Sequence, residues 1–108
     1  MSKIMRFISP KDCKKRLDNN EVEVIDIREP YEFEACNAGF KNIPMAELTV
    51  KTENLASEKD NVIMCRSGKR AEAIVNFLET EHKIKNLFVL EGGITEWANQ
   101  IDKTLQLD

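Results

Sequence analysis

Residues 62–70 decide the fold of this chain, and they read Val62-Ile63-Met64-Cys65-Arg66-Ser67-Gly68-Lys69-Arg70. The first three are apolar and are typical of a buried strand. A helical pattern begins at Arg70, and Gly68 between the two can turn the chain with a positive φ angle. The stretch therefore predicts a strand, a tight loop and a helix, with Cys65 at the strand-to-helix turn.

The loop of residues 65–70 concentrates positive charge around a single thiol. Arg66, Lys69 and Arg70 follow Cys65 within five positions. The start of the following helix adds free backbone N–H groups and the positive end of its dipole. Such a field is expected to favour the thiolate form of Cys65, which suits a nucleophile that attacks an anionic substrate. Taken alone, the loop leaves a buried structural cysteine as the alternative.

Apolar segments and helical patterns alternate on both sides of this stretch. Further strands are predicted at residues 5–8, 22–27 and 87–90. Helices are predicted after Ser9-Pro10, after Glu29-Pro30, through residues 48–55, along an apolar stripe of Ala71, Ile74, Phe77 and Leu78, and around Ile94 and Trp97. This alternation predicts an α/β fold with a parallel sheet, in which ligands bind beyond the carboxyl ends of the strands. Cys65, Arg28 and Gly92 fall at such ends.

Composition and charge limit the classes of function. With 108 residues, 42% of them hydrophobic and 32% charged, the chain fits one ordinary domain over residues 1–108. Its net charge of −3 gives no support for nucleic-acid binding. No segment approaches the roughly 18 apolar residues of a membrane span, and residues 1–6 carry charges where a signal peptide needs an apolar run. We expect a cytoplasmic protein with neither a nucleic acid nor a membrane as partner.

The cysteine and histidine content argues against a disulfide framework and against a metal site. Cys13, Cys36 and Cys65 are an odd number of cysteines and contain no Cys-x-x-Cys pair. The single histidine, His82, leaves too few ligands for a zinc site. We expect no metal and no cofactor, with Cys13 packed against Ile8 at the start of the first helix and His82 in solvent.

Three further segments carry a resemblance to a known family. They are Asp26-Ile27-Arg28-Glu29-Pro30-Tyr31-Glu32-Phe33, Asn42-Ile43-Pro44 and Leu90-Glu91-Gly92-Gly93-Ile94-Thr95-Glu96-Trp97. The first resembles the Asp-x-Arg-x-x-x-Glu-Phe signature of rhodanese domains, and the last resembles their Leu-x-Gly-Gly-x-x-x-Trp. With the Cys65 loop, four motifs follow in the right order over nearly the whole chain. The sequence is thus similar to the single-domain rhodaneses, or thiosulfate sulfurtransferases.

The resemblance implies a fold and a reaction. The fold is α/β and rhodanese-like, with a central parallel sheet of about five strands and helices on both faces. The reaction moves sulfane sulfur from thiosulfate or a related persulfide donor to a thiol or cyanide through a persulfide on Cys65. The substrate-binding residues are then Arg66, Ser67, Gly68, Lys69 and Arg70. A small anionic sulfur donor is the expected partner, and a thiol or a sulfur-carrier protein is the expected acceptor.

Two other classes of function stay open at this stage. A persulfide carrier or interaction module would serve a protein partner without turning over free thiosulfate. A phosphatase or arsenate reductase of related fold is disfavoured by loop length. Tyrosine phosphatases have Cys-x5-Arg, whereas Arg70 is five positions after Cys65 and Ala71 is the sixth.

Several residues near the predicted site have a structural interpretation beside a functional one. For Asp26 and Arg28, a structural ion pair is favoured over substrate binding. Gly92 and Gly93 are expected to form a turn that brings backbone close to the Cys65 loop. The segment from Cys36 departs from the Gly-His-Ile-Pro-Gly of many rhodaneses, and Cys36 is interpreted either as a plain buried cysteine, which is favoured, or as a thiol that accepts sulfur from Cys65.

Overall fold

The computed structural model describes residues 5–107 and shows strands and helices alternating along the chain. The elements are β1 (Phe7–Ile8), α1 (Pro10–Asp18), β2 (Val22–Asp26), α2 (Pro30–Ala35), β3 (Lys41–Asn42), α3 (Met45–Val50), a 3₁₀ turn (Thr52–Asn54), β4 (Asp60–Met64), α4 (Lys69–Glu81), β5 (Leu87–Leu90) and α5 (Gly93–Gln100). The charged start of the chain, used above to argue against a signal peptide, lies mostly outside the described residues.

The five strands form one parallel sheet in the order β1-β5-β4-β2-β3. In the middle of it Ile63 of β4 is level with Ile25 of β2 and with Val89 of β5. Residues 61–64 of β4 are all buried, as expected for a strand covered on both faces. The predicted parallel α/β sheet of about five strands is confirmed.

Helices cover both faces of the sheet, and each face has its own apolar layer. One layer joins Ile25, Ile63 and Val89 to residues of α3 and α4, among them Leu48, Ile74, Val75 and Leu78. The other joins Val24, Val62, Met64 and Leu90 to Cys13 of α1 and to Ile94 and Trp97 of α5. Leu105 and Leu107, which follow α5, pack against this second layer. The prediction of helices on both faces is confirmed.

Two helix starts follow the local sequence closely. The Ser9 hydroxyl oxygen accepts a hydrogen bond of 3.1 Å from the backbone N–H of Asp12, and Pro10 opens α1. Ile8 and Cys13 lie in the same buried cluster, as predicted. At α2 the backbone N–H of Glu29 donates a hydrogen bond of 3.0 Å to the Glu32 carboxylate, which fixes that side chain at the first helical turn.

Some local predictions are wrong. Phe77 is 38% exposed, whereas Val75 is fully buried and completes the apolar stripe of α4. The first strand is shorter than residues 5–8, and α4 begins at Lys69. The predicted helix over residues 48–55 begins earlier, at Met45, and ends at Val50. Strand β3 was not predicted as an element.

No helix within residues 5–107 is long and apolar enough to span a membrane.

Candidate active site

Cys65 lies directly after β4, where the chain turns into α4. Its Sγ accepts a hydrogen bond of 3.0 Å from the backbone N–H of Gly68, and its side chain is buried. Gly68 caps α4 with a φ of 108°, in the left-handed region that favours glycine. The loop thus folds back on the sulfur and directs an amide of the helix start at it. This arrangement stabilises negative charge on that sulfur.

Hydrogen bonds from the start of α5 hold the backbone of the Cys65 loop in place. The backbone N–H of Ile94 donates a hydrogen bond of 2.8 Å to the Cys65 carbonyl, and Thr95 donates to the Arg66 carbonyl through its backbone N–H and its hydroxyl. A Cβ on Gly93 would lie 2.3 Å from the Cys65 carbonyl oxygen and 2.5 Å from that of Arg66. Glycine at this position therefore permits the close approach that fixes the loop.

The cations of the loop divide into two groups. Arg66 and Lys69 are exposed, as is Ser67 between them. Arg70 makes a two-pronged ion pair with Glu32 of α2, with Nη–Oε distances of 2.8 and 3.0 Å. The hydrogen bonds from Arg70 lower the pKa of Glu32 to about 2, and the same contact raises the pKa of Arg70. Arg66 and Lys69 are therefore the two loop cations that are exposed to solvent and are not paired with Glu32.

Glu32 was not singled out from the sequence, although a signal for it was present. It is the glutamate of the Asp-x-Arg-x-x-x-Glu-Phe segment, and it lies 38 positions before Arg70. The structure brings these two residues together across the carboxyl end of the sheet. Glu32 thereby connects α2 to the far end of the Cys65 loop.

Asp26 and Arg28 form a buried ion pair at the end of β2. The Arg28 Nε and Nη2 atoms donate to the Asp26 carboxylate at 3.0 and 2.8 Å, and both side chains are at most 3% exposed. Arg28 Nη2 also donates a hydrogen bond of 2.8 Å to the Cys36 carbonyl. The pair anchors the segment after α2 to the sheet, which is the geometry of a structural ion pair.

The other two cysteines have contrasting surroundings. Cys13 is fully buried, and desolvation raises the pKa of its thiol to about 11, so this thiol stays protonated and shielded. Cys36, expected to be buried, is only half-buried. It lines a cavity of about 220 Å³ that Arg66 also lines. This cavity, which we call the α2 cavity, adjoins the residue that follows Cys65.

The described part of the chain also holds a second cavity, the turn at Gly92 and an exposed histidine. A larger cavity of about 540 Å³ is lined by β1, α1 and β5 and includes no residue of the 65–70 loop. Gly92, at the end of β5, has a φ of 72° and caps α5. His82 is exposed at the end of α4, with its ring 5.4 Å from that of Phe77. Across residues 5–107, no group of three or more His, Cys, Asp or Glu side chains could hold a metal ion.

Comparison with known proteins gives one consistent family. The profile of the rhodanese-like domain matches residues 9–100. YtwF of Bacillus subtilis (strain 168), named as a candidate sulfurtransferase, is 32% identical over 98 residues, which cover 89% of this chain and 93% of that protein. A rhodanese-related protein from Thermoplasma volcanium has a similar solved structure, with a TM-score of 0.78 and 31% identity over 95% of this chain and 99% of that one.

Some relatives are much longer than this chain. The chloroplastic rhodanese-like/PpiC domain-containing protein 12 of Arabidopsis thaliana is 29% identical over 91 residues, which cover 80% of this chain and 30% of that protein. The adenylyltransferase and sulfurtransferase MOCS3 of Drosophila virilis is 30% identical over 95 residues, 78% of this chain and 20% of that protein. The similarity to these two proteins thus extends over less than a third of their length.

Proposed function

This chain belongs to the rhodanese-like domain family, and on that premise we propose that it is a sulfurtransferase that moves sulfane sulfur through a persulfide on Cys65. The observation that carries the proposal is the 3.0 Å hydrogen bond from the Gly68 N–H to the Cys65 sulfur at the start of α4. An amide directed at the sulfur stabilises both a thiolate and a persulfide anion. Relatives named for sulfur transfer support the same reaction class.

In the first half-reaction the Cys65 thiolate attacks the outer sulfur of thiosulfate. A bond forms between Cys65 Sγ and that sulfur as the S–S bond of thiosulfate breaks, and the electron pair leaves with sulfite. Cys65 then carries a persulfide anion, and an attack that starts from the thiolate needs no separate general base. In the second half-reaction an acceptor thiol or cyanide takes the outer sulfur and returns Cys65 to the thiolate.

The other residues of the loop have separate parts in this proposal. Arg66 and Lys69, both exposed, attract the anionic donor. Gly68 gives the loop its turn, and the Ser67 hydroxyl offers a further hydrogen bond. Arg70 fixes the far end of the loop through Glu32 and adds positive charge there. Gly92 and Gly93 let the start of α5 approach the loop closely, and the buried pair Asp26–Arg28 fixes the segment after α2 through the Cys36 carbonyl.

A second candidate function is a persulfide carrier that serves a protein partner and does not turn over free thiosulfate. The exposure of Arg66, Ser67 and Lys69 around a buried sulfur favours it, because a partner surface could contact this rim. The loop of the phosphatase class is one residue longer, so that function is not proposed.

Intact mass spectrometry tests the proposal directly. The native chain is incubated briefly with thiosulfate and compared with Cys65→Ala and with Cys36→Ser. We expect a gain of one sulfur atom on the native chain and on Cys36→Ser, removed by cyanide, and none on Cys65→Ala. A gain with persulfide or polysulfide donors but not with thiosulfate would favour the carrier function. A gain that survives in Cys65→Ala, or no gain with any of these donors, would contradict the proposal.

A further inference from the structure

Arg70 is the loop cation that lies within electrostatic reach of the Cys65 sulfur. It is the second residue of α4, and Gly68, which donates a hydrogen bond to that sulfur, caps the same helix. The hydrogen bonds to Glu32 raise the pKa of Arg70 most, and the charge of Cys65 raises it further. The Arg70 charge therefore stabilises an anion at the sulfur as long as the guanidinium stays in this place.

Glu32 is the group that holds the Arg70 guanidinium. The Arg70 side chain is 37% exposed, so there is room for it to extend into solvent. Its two Nη atoms instead donate to the Glu32 carboxylate at 2.8 and 3.0 Å, and no other acceptor within residues 5–107 engages them. The position of the Arg70 charge relative to Cys65 thus depends on Glu32.

The Glu32 carboxylate is itself fixed. Its side chain is 18% exposed, and the backbone N–H of Glu29 donates a hydrogen bond of 3.0 Å to it. Chiefly because Arg70 donates to it, its pKa is about 2, so it stays ionised from weakly acidic to alkaline pH. The other charged or titratable groups around this ion pair and the Cys65 loop are Arg28, Tyr31, Cys36, Arg66 and Lys69.

We propose that Glu32 is a positioning residue for the sulfur chemistry: it holds the Arg70 guanidinium near Cys65, where the positive charge stabilises the thiolate and the persulfide anion. The part of this inference that concerns turnover rests on the proposed sulfur transfer. A carboxylate that acted on Cys65 through its own charge would have the opposite effect, because one negative charge disfavours another nearby. The two ways in which Glu32 can act therefore differ in sign.

The pH profile of Cys65 alkylation measures this role without any sulfur donor. Uncharged iodoacetamide is used on the Cys36→Ser chain, and peptide mass mapping follows the modification of Cys65. Glu32→Gln should move the rise of the profile to higher pH and slow alkylation about threefold on its acidic side, because the uncharged amide has one acceptor oxygen and releases Arg70. The difference should narrow at alkaline pH, where Cys65 is ionised in both chains.

Three further variants separate the position of Arg70 from the charge of Glu32. Glu32→Asp keeps the charge but is one methylene shorter, so it should shift the profile in the same direction as Glu32→Gln. In Arg70→Gln the profile should already be shifted, and adding Glu32→Gln should move it no further that way. Glu34→Gln removes the same charge from an exposed position of α2 and should leave the profile unchanged.

A profile of Glu32→Gln that moves to lower pH would overturn the inference, because Glu32 would then act through its own charge. An unchanged profile, or an equal shift in Glu34→Gln, would overturn it as well. Circular dichroism shows that the chains compared are folded, and if Glu32→Gln is not, Glu32→Asp decides in its place.

Loading with thiosulfate connects this role to turnover. On the acidic side of the profile, Glu32→Gln should load about threefold more slowly than the native chain, and equal loading would overturn the role in turnover. If no donor loads the native chain, the proposed function fails. The alkylation profiles still decide in that case whether Glu32 positions Arg70.

Discussion

Single residues set the geometry of the Cys65 loop, and Gly93 does so by having no side chain. Gly93→Ala would place a methyl group against the carbonyls of Cys65 and Arg66 at a φ of 59°. Because both partners are backbone atoms, the loop or α5 must move. We expect a loss of about 3 kcal/mol in the free energy of unfolding, measured by urea denaturation, together with slower loading by thiosulfate.

Gly39 offers a matched control for that substitution. Its φ is 85°, also in the left-handed region, but a Cβ there meets nothing within 4 Å. Gly39→Ala should cost only the backbone strain, about 1 kcal/mol, and should leave loading unchanged. Equal losses in the two variants would show that the contact of Gly93 with the loop is not what matters.

The ion pair of Glu32 with Arg70 gives a pH dependence of stability. The pKa of Glu32 is about 2 in the folded chain against 4.5 for the unperturbed group. A lowered folded-state pKa contributes stability above pH 4.5, and this stability is lost as the pH falls towards about 2. Glu32→Gln should therefore lower the free energy of unfolding by roughly 2 kcal/mol near neutral pH, and by less in acid.

Urea denaturation at about pH 7 and about pH 3 checks this prediction. The difference between native chain and variant should shrink at the lower pH, because Glu32 is then largely protonated in the unfolded state of the native chain but still mostly ionised in the folded state. A difference that is constant with pH would show that the carboxylate charge of Glu32 does not stabilise the fold.

Residue-level prediction from the sequence succeeded where the information is local. The loop of residues 65–70, with its glycine and its thiol, is contiguous in the chain, so its turn and its position after a strand could be read directly. The contact between Glu32 and Arg70 joins residues 38 positions apart, and only the folded sheet reveals it. Cys36 likewise lies at a cavity that Gln106 and Leu107, near the other end of the described chain, also line, and the sequence does not show this proximity.

At the scale of elements, α4 shows which apolar residues stabilise a helix. Ile74 is fully buried beneath it, whereas Phe77 is 38% exposed. Ile74→Ala should lower the free energy of unfolding by about 3 kcal/mol, since it leaves a cavity in the core. Phe77→Ala should cost less, about 1–2 kcal/mol, because more than a third of this residue is already exposed and no closed cavity is left behind. Urea denaturation of the two variants measures both, and comparable losses would contradict this assignment of faces.

Elements with a strong periodic pattern were predictable, and elements defined by their partners were not. Phe77 is three positions after Ile74, but the buried stripe of α4 is centred on Ala71, Ile74, Val75 and Leu78, and at 100° per residue Phe77 lies past its edge. Strand β3 has no apolar pattern at all. Lys41 pairs with Ile25 of β2, and the Asn42 amide donates to the carbonyls of Asp26 and Arg28. These long-range bonds make it a strand.

At the scale of the whole molecule, local and net charge have opposite signs. The chain has a net charge of −3, whereas the rim of the Cys65 loop carries the exposed cations Arg66 and Lys69. Where the local positive charge of this rim outweighs the net negative charge, salt screens the attraction between the rim and the dianion thiosulfate. Loading should then slow roughly threefold as NaCl rises from about 20 mM to about 500 mM. Alkylation of Cys65 by uncharged iodoacetamide serves as the control and should not slow. A loading rate that rises with salt would mean that the net charge dominates.

The pairing of β1 with β5 has a consequence for how the chain folds. Phe7 lies beside Val89 and Ile8 beside Leu90, so within residues 5–107 strand β1 pairs with β5 alone. The three strands between them can pair earlier, but on the ribosome β1 must wait until β5 has emerged. Contacts between residues so distant in sequence slow folding because a long loop has to close first. The final step of folding should therefore be the docking of the N-terminal segment onto an otherwise assembled sheet.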